Sequence, residues 1–316
     1  MNALPYVLTF GETMALMSSE QVGPLAHASS LSLGIGGSES NVAIGLQRLG
    51  VQAIWCGRVG ADSLGNLVER EIRAEGVDVR IAVDPSAPTG LMIKERRTPA
   101  TQRVSYYRAG SAGSRITPDD IDEQLISGAG LLHVSGITPA LSPQAEATLR
   151  YAVDTARAHN VTVSFDLNFR GNLWSAEGAR SVYQDIIPRA DIVFAGDDEA
   201  AIAVGAGEPE ELARRIAALG PSQAVIKLGA DGALALISGT LFRQEAVTVD
   251  TVDTVGAGDA FVAGYLAEFV TGRGPQDRLK TAAATGAFAC LVPGDWEGFP
   301  RRHELSILQT REPVSR

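Results

Sequence analysis

Residues 253–261 read DTVGAGDAF, in which the small residues 256–258 are followed directly by a carboxylate, Asp259. The apolar run that follows, 260–270, predicts a helix. Backbone N–H groups of glycines can come close to an anion, and the N-terminus of a helix adds a partial positive charge. Asp259 stands where those amides point, so it is a candidate general base for an attacking hydroxyl group. The alternative is an aspartate that only caps a helix after a flexible loop.

A second polar cluster, GGSESN at residues 36–41, precedes a predicted helix at 40–49. Ser40 can cap that helix, and Glu39 and Asn41 add polar groups beside it. Two glycines before a helix are more often only a turn. The cluster lacks the third glycine of a dinucleotide fingerprint, which disfavours a Rossmann dehydrogenase. Neither glycine cluster ends in the GK[ST] of a phosphate-binding loop.

Two further polar groups follow short apolar runs. Residues 227–232 read KLGADG between the runs 224–227 and 233–237, and their simplest interpretation is a β-turn. Residues 166–170 read DLNFR, where polar side chains begin as the run 161–166 ends. Ligands of α/β proteins lie beyond the carboxyl ends of the strands, so both groups are candidate parts of a site.

The elements that must position these groups alternate between strands and helices. Short apolar runs at 6–10, 53–59, 131–135, 161–166, 192–195 and 224–227 predict buried parallel strands. Helices are predicted at 40–49, from Asp62 or Ser63 to Gly76, and from Ser142 towards residue 159. The sequence TPDD at 117–120 predicts one more helix start. This alternation indicates a three-layer α/β fold around a mainly parallel sheet.

Two stretches break the alternation. Residues 11–34 lack helical periodicity, and residues 90–108 hold two β-like runs around a polar turn that contains Pro99. Both resemble β-hairpins inserted into the α/β frame. They predict either a pair of surface loops or a β lid that closes over a site.

Charge and composition exclude several classes of protein. The 316 residues include 37 acidic and 27 basic side chains, a net charge of −10, which argues against nucleic acid or anionic membranes as the main partner. A buried cationic pocket for an anionic substrate stays compatible with that charge. The 45% hydrophobic and 20% charged content excludes a disordered chain. No apolar run approaches the roughly 18 residues of a membrane span.

The cysteine and histidine content predicts neither a disulfide framework nor a metal motif. Cys56 and Cys290 are the only cysteines, and the four histidines form no HExxH pattern. Two thiols without a framework are typical of a reducing compartment. No Lys or Arg precedes Arg48, so no secretory signal is expected. We therefore expect a cytoplasmic protein.

Taken together, the clusters resemble those of the ribokinase-like, or PfkB, family of carbohydrate kinases. GGSESN is similar to the family's N-terminal signature and DTVGAGDAF to its C-terminal signature, in the same order and at a similar spacing. The resemblance implies a single kinase domain over residues 1–316, with a small β lid formed by about 11–35 and 88–112. It also implies ATP as the phosphoryl donor and Mg²⁺ as a cofactor.

The resemblance further implies roles for particular residues. Asp259 would be the catalytic base, and Gly256, Ala257 and Gly258 would form the anion hole. Nucleotide contacts are implied at Asn168, Phe169, Arg170, Lys227, Leu228, Gly229, Ala230, Asp231, Gly232, Gly256, Ala257 and Gly258. The family often has an Asn-x-x-Glu element near the metal, and residues 196–199 here read GDDE. Glu199 is therefore the implied Mg²⁺ residue, with its contact through water.

The segment YYRAGSA at 106–112 bears on the substrate. An arginine can fork onto a carboxylate and tyrosines can hydrogen-bond hydroxyls, although aromatic lid packing beside a solvated arginine is the alternative. This segment, DLNFRGNLW at 166–174 and GDWEG at 294–298 are similar to those of family members that phosphorylate 2-keto-3-deoxygluconate. That resemblance implies transfer to the C6 hydroxyl. It implies substrate contacts at Gly36, Gly37, Ser38, Glu39, Ser40, Met92, Tyr106, Tyr107, Arg108, Arg170, Asp259 and Asp295. Met92 stands where the family often has a lid tyrosine.

Other functions remain compatible with the sequence. A fructokinase or another sugar kinase of the same family is one alternative. A catalytically inactive sugar-binding protein on the same fold is another, although the intact GAGD element argues against it. The exposed edges of a β lid favour pairing with a second lid, so a homo-oligomer is expected.

Overall fold

The structure, a computed structural model, describes residues 5–19, 21–98 and 101–309. Its strands are β1 (Val7–Phe10), β2 (Met14–Ser18), β3 (Ser32–Gly36), β4 (Ala53–Gly60), β5 (Asp78–Asp84), β6 (Leu91–Thr98), β7 (Thr101–Tyr107), β8 (Leu131–Ser135), β9 (Thr162–Asp166), β10 (Ile192–Gly196), β11 (Gln223–Lys227), β12 (Ala233–Ile237) and β13 (Thr240–Gln244). Its α-helices are α1 (Ser38–Arg48), α2 (Ser63–Ala74), α3 (Glu123–Ser127), α4 (Pro143–Ala158), α5 (Ala176–Ile186), α6 (Asp197–Val204), α7 (Pro209–Ala217), α8 (Ala257–Val270) and α9 (Pro275–Ala289).

Nine strands form a central sheet in the order β13-β12-β11-β10-β9-β8-β1-β4-β5. From β11 to β5 all neighbours are parallel, and β12 and β13 join antiparallel at one end. Successive side chains of a strand enter two different cores. Val7 packs in the core that includes α1, α2, α8 and α9, while Leu8 packs in the core with α3 to α7. The predicted three-layer α/β fold with a mainly parallel sheet is confirmed.

Two helix starts follow the predicted capping residues, but α1 begins at Ser38 with Gly37 as its N-cap, so the predicted capping by Ser40 is wrong. Asp62 accepts a hydrogen bond from the Gly65 amide at the start of α2, and Ser142 accepts one from the Ala145 amide at the start of α4. The helix predicted from TPDD at 117–120 is wrong, because those residues form only a 3₁₀ turn and α3 begins at Glu123. Arg58 donates to both oxygens of Asp120 at 3.0 and 3.1 Å, a long-range ion pair that holds the turn against β4.

The two stretches that break the alternation form a second, four-stranded sheet in the order β3-β2-β6-β7. The pairs β2–β3 and β6–β7 are antiparallel, and β2–β6 is parallel. The predicted turn at Pro99 lies outside the described residues. One face buries Met14, Leu16 and Met92, whereas Leu33 and Tyr107 are 61% and 62% exposed. This small sheet is the element predicted as a β lid.

Among the residues that the structure describes, no helix combines the length and the apolar character needed to cross a membrane.

Candidate active site

A cleft lies between the small sheet and the carboxyl ends of the central strands. Its walls come from the small sheet, the start of α1, the segments after β1, β8 and β9, the turn before α8 and the segment after α9. The residues that line it are Glu12, Met14, Gly36, Gly37, Ser38, Asn41, Met92, Tyr106, Arg108, Ile137, Arg170, Asn172, Val255, Gly256, Asp259 and Asp295. This position, beyond the strand ends, is where ligands of open α/β sheets bind.

Asp259 lies in the first turn of α8 and is only 9% exposed. Ser38 Oγ donates to its Oδ1 at 2.7 Å, and Asn41 Nδ2 donates to its Oδ2 at 2.8 Å. Burial raises the pKa of Asp259, and these two hydrogen bonds oppose that rise. The result is an oriented carboxylate that accepts a proton more readily than an exposed aspartate does.

The turn before α8 depends on Gly256, whose φ of 76° is left-handed. An ideal Cβ at this position would overlap the backbone carbonyl oxygen of Asp295, so the turn has no room for a side chain. α8 begins at Ala257, three residues before the predicted start of the apolar run. The amides of Gly258 and Asp259 therefore lie in the first helical turn, where a helix supplies no carbonyl partner. Of the three residues predicted to form the anion hole, Gly258 has this placement, whereas the Ala257 amide donates to the Thr254 carbonyl oxygen at 3.3 Å.

Lys227 ends β11 and forms a partly buried ion pair at the end of β9. Its Nζ donates to both carboxylate oxygens of Asp166, at 2.7 and 2.9 Å. Burial lowers the pKa of the Lys227 ammonium, but the carboxylates of Asp166, Glu199 and Asp259 together raise it by more. An ideal Cβ on Gly258 would lie 3.9 Å from Lys227 Nζ, so this positive charge is adjacent to the turn before α8.

The DLNFR segment after β9 adds two contacts on the same side. Asn168 Nδ2 donates to Ser38 Oγ at 2.7 Å, which extends the hydrogen-bonded chain from Asp259 through Ser38. Asn168 has a φ of 41°, in the left-handed region that asparagine tolerates better than most residues. Arg170 is exposed and lines the cleft, and its positive charge lowers the pKa of Asp259.

Arg108, predicted to bind a substrate carboxylate, already has a carboxylate partner in the protein. Its Nε and Nη2 donate to Oε2 of Glu12 at 2.7 and 2.6 Å, and Glu12 is 3% exposed. Ser111 Oγ donates to the other oxygen of Glu12. The Arg108 guanidinium also lies 5.9 Å from the ring centroid of Tyr106. Sequence reasoning missed Glu12, for which no local motif provided a signal.

Asp295 enters the cleft opposite the small sheet. An ideal Cβ on Gly36 would overlap both Asp295 Oδ2 and Met92 Cε, so the glycine lets β3 approach the carboxylate. Burial raises the pKa of Asp295 to about 7, and the positive charge of Lys94 opposes the rise. Lys94 Nζ lies 3.6 Å from Asp295 Oδ1 and donates to Asp253 Oδ2 at 2.6 Å. Lys94 and Asp253 were also missed as site residues.

Three residues predicted to contact the substrate do not line the cleft. Glu39 is buried and accepts hydrogen bonds from Ser135 and Thr138. Ser40 donates to the Gly37 carbonyl oxygen at 3.0 Å. Tyr107 is largely exposed on the small sheet. Glu39 and Ser40 therefore hold the first turn of α1 in place and do not face the cleft.

The residues predicted to bind nucleotide and metal lie on the core side. Leu228, Gly229, Ala230, Asp231 and Gly232 form the turn between β11 and β12, next to Lys227. Glu199 accepts hydrogen bonds from the amides of Phe169 and Gly196, at 3.0 and 2.6 Å. Within the described ranges, no group of three or more His, Cys, Asp or Glu side chains could hold a metal ion by itself.

The family model of the pfkB carbohydrate kinases matches residues 4–302. The chain belongs to the pfkB family of carbohydrate kinases. The chain is 37% identical to a 2-dehydro-3-deoxygluconokinase of Bacillus subtilis over 312 residues. The matched region covers 97% of this chain and 96% of that protein. A 2-dehydro-3-deoxygalactonokinase of Haloferax volcanii is 35% identical over 92% of each chain.

A solved structure agrees with this membership at the level of the fold. It is a protein of Escherichia coli provisionally assigned as ribokinase II, in complex with ATP and Mg²⁺. It has a TM-score of 0.90 and 24% identity to this pfkB kinase, and it covers 98% of this chain and 100% of that one.

Proposed function

We propose that this pfkB kinase transfers the γ-phosphoryl group of ATP to the C6 hydroxyl of 2-keto-3-deoxygluconate, giving the 6-phosphate. The observation that carries the proposal is Asp259, a buried carboxylate held by Ser38 and Asn41 at the start of α8 and facing the cleft. Two relatives whose names specify sugar-acid substrates are 37% and 35% identical to it. The same reaction is called 2-dehydro-3-deoxygluconokinase activity.

Asp259 accepts the hydroxyl proton as the new oxygen–phosphorus bond forms and ADP leaves with the electron pair of the broken bond. In this proposal the amides of Gly256, Ala257 and Gly258 and the charges of Arg170 and Lys227 stabilise the transferring oxygens. The pfkB kinases use ATP. The ATP phosphates fit on the core side of Asp259, beside Lys227 and the turn at 228–232. The contacts at Asn168 and Phe169 belong to the same side.

Arg108 and Arg170 supply the positive charge that a sugar acid requires and a neutral sugar does not. Glu12 engages Nε and one Nη of Arg108, and a guanidinium carries five N–H donors, so donors remain for a substrate carboxylate. Gly36, Gly37, Met92, Tyr106 and Asp295 border the same space. The sugar acid therefore fits with its carboxylate towards the small sheet and its C6 hydroxyl towards Asp259.

Mg²⁺ fits this site only as an ion held mainly by phosphate oxygens and water, its usual mode in kinases. Each Glu199 oxygen has a second lone pair beyond its bond to a backbone amide, so Glu199 would hold a metal-bound water. When bound, the ion neutralises charge on the ATP phosphates.

The test is a coupled assay of ADP release with 2-keto-3-deoxygluconate, its galactonate epimer, fructose, ribose and adenosine. We expect the highest kcat/KM with a keto-deoxy sugar acid. Arg108→Leu should weaken that acid by roughly 10- to 100-fold, since a hydrogen bond to a charged group contributes roughly 1.5–3 kcal/mol. It should leave the KM for ATP nearly unchanged. A preference for fructose would contradict the proposed substrate. An equal loss of affinity for the acid and for a neutral sugar would contradict the proposed binding of the carboxylate by Arg108.

The small sheet is also the proposed contact of a homo-oligomer, in the cytoplasm where ATP is supplied. Its edge strands β3 and β7 carry exposed Leu33 and Tyr107, and free sheet edges favour pairing. Sedimentation equilibrium gives the mass, and a monomer at assay concentration would exclude the assembly.

A further inference from the structure

Lys94 lies on β6 of the small sheet, but its ammonium group faces carboxylates that lie outside that sheet. The side chain is buried, with the residue 6% exposed, and its Nζ donates to Asp253 Oδ2 at 2.6 Å. Asp295 Oδ1 lies 3.6 Å from the same nitrogen. Only three of the 27 basic residues are lysines, and two of them form ion pairs at this site, a buried one at Lys94 and a partly buried one at Lys227.

Asp253 connects that charge to two loops. Its Oδ1 accepts a hydrogen bond from the Val255 amide at 3.1 Å, within the turn that leads to Gly256. Its Oδ2 accepts one from the Gly294 amide at 3.3 Å, next to Asp295. One ammonium group therefore links the small sheet, the turn before α8 and the segment that carries Asp295.

We propose that Lys94 is a positioning residue for phosphoryl transfer, which holds the turn before α8 and Asp295 in register with the small sheet. A movement of β6 is then passed to both sides of the cleft through Asp253 and Asp295. The proposal rests on the proposed function only for the identity of the sugar. Lys94 itself does not line the cleft.

The charges around Asp295 make this lysine important for its ionisation. Lys94 faces it from β6, Asp253 from the turn, Asp259 from α8 and Glu297 from its own segment, while Glu12, Arg108 and Arg170 lie elsewhere around the cleft. Burial and the three nearby carboxylates raise the pKa of Asp295, and Lys94 lowers it. Removal of the Lys94 charge should therefore raise this pKa further.

A lysine suits the position better than an arginine. Its ammonium is a compact point charge that can face two carboxylates from one buried position, whereas a guanidinium is planar and wider. Loss of either partner of a buried ion pair leaves an uncompensated charge, which is strongly destabilising. For that reason the test needs a variant without the Asp253 charge as well.

The experiment compares Lys94→Met, Lys94→Arg and the double variant Lys94→Met/Asp253→Asn with the wild-type protein. Lys280→Met is the control, since Lys280 is exposed on α9. The readouts are kcat and KM for both substrates, the pH profile of kcat/KM for the sugar, and hydrogen exchange of the protein without substrates. The sugar is whichever substrate the wild-type protein phosphorylates best, so failure on 2-keto-3-deoxygluconate alone contradicts only the proposed function.

For Lys94→Met we expect kcat to fall at least about tenfold and the KM for ATP to stay within about twofold. The acid limb, which is the low-pH side of the kcat/KM profile for the sugar, should move upward by about half a pH unit or more. Exchange should rise together in 91–98, 253–256 and 294–298. Lys94→Arg should keep the wild-type acid limb while losing part of kcat. In the double variant, loss of the Asp253 charge offsets loss of the Lys94 charge, so the limb should return towards wild type while kcat stays low.

Two results would overturn the proposal. One is a Lys94→Met protein with wild-type kcat and acid limb. The other is increased exchange confined to β6, which would make Lys94 a local stabiliser of the small sheet. If Lys94→Met alone does not fold, the double variant decides, because a wild-type kcat there would also exclude a positioning role.

Discussion

Asp259 combines a raised pKa with a fixed orientation, the two properties that a general base requires. Each of its oxygens accepts a hydrogen bond from a neutral donor, Ser38 or Asn41, which holds the carboxylate without supplying a full countercharge. Because the raised pKa favours the protonated form as the pH falls, activity should be lost on acidification at a higher pH than for an exposed aspartate.

Asp259→Asn keeps the shape of the side chain and removes the proton acceptor. We expect kcat to fall by at least about 100-fold, the low end for loss of a general base. ATP affinity, measured by calorimetric titration, should change little because the proposed nucleotide contacts lie on the core side. A variant that retains more than about a tenth of wild-type kcat would remove Asp259 from the mechanism.

Asp295 predicts a dependence of stability on pH. Its pKa is raised to about 7 in the folded protein from its ordinary value of 3.8, so its stabilising contribution is present at low pH and is lost as the pH rises towards 7. Asp295→Asn cannot ionise. Its melting temperature should therefore exceed that of the wild-type protein by an amount that grows from pH 4 to pH 7 and then levels off.

The measurement is thermal unfolding of both proteins across that pH range at constant ionic strength. A constant difference at every pH would show that Asp295 does not titrate with a raised pKa. The same variant should bind the sugar more weakly at pH 8, where the wild-type carboxylate is ionised.

At the scale of elements, the turn before α8 brings together three parts of the site. These are the backbone amides in the first turn of α8, the Asp259 carboxylate and Asp295. Two features of Gly256 are responsible: its left-handed φ of 76° and the close approach of the Asp295 carbonyl oxygen. Gly272, just after α8, has nearly the same φ, 75°, but an ideal Cβ there meets nothing within 4 Å. The pair separates backbone strain from steric overlap.

Gly272→Ala should cost about 1–2 kcal/mol of unfolding free energy, the usual cost of a left-handed alanine, with kcat unchanged. Gly256→Ala adds overlap with backbone atoms, so it should cost clearly more and abolish phosphoryl transfer. Urea unfolding and the ADP-release assay test both variants. Equal stability losses would mean that the Asp295 backbone moves aside easily.

At the scale of the molecule, the small sheet and the core meet through buried charges as well as through the cleft. Arg108 pairs with Glu12 on one side and Lys94 with Asp253 on the other. A sheet held by a few such contacts can shift as a unit when a substrate adds new ones. Closure that excludes water would suppress ATP hydrolysis in the absence of sugar.

We expect saturating sugar to increase hydrogen-exchange protection across β6 and β7, with α9 as the internal control that stays unchanged. ATP alone should be hydrolysed far more slowly than in the presence of sugar. Unchanged protection at 91–98 and 101–108 would contradict a closing lid.

Much of the architecture follows from local sequence. Apolar runs of about five residues and capping residues such as Asp62 and Ser142 act within a few positions, so strands, helices and their alternation are readable one at a time. The two glycine-rich signatures are equally local and identify the family. TPDD at 117–120 shows the limit, because a distant arginine, Arg58, holds Asp120 in a short turn.

The charge pairing of the site was decided by the tertiary structure. Arg108 and Glu12 are 96 positions apart, and Lys94 and Asp253 are 159 apart. A lone charged residue has no periodicity or motif that identifies its partner, so sequence reasoning treated Arg108 as a free cation and passed over Glu12 and Lys94. Only the packing of the small sheet against the strand ends brings these charges within hydrogen-bonding distance. The same packing removes the water that would otherwise solvate each charge, so each buried charge needs a partner of opposite sign.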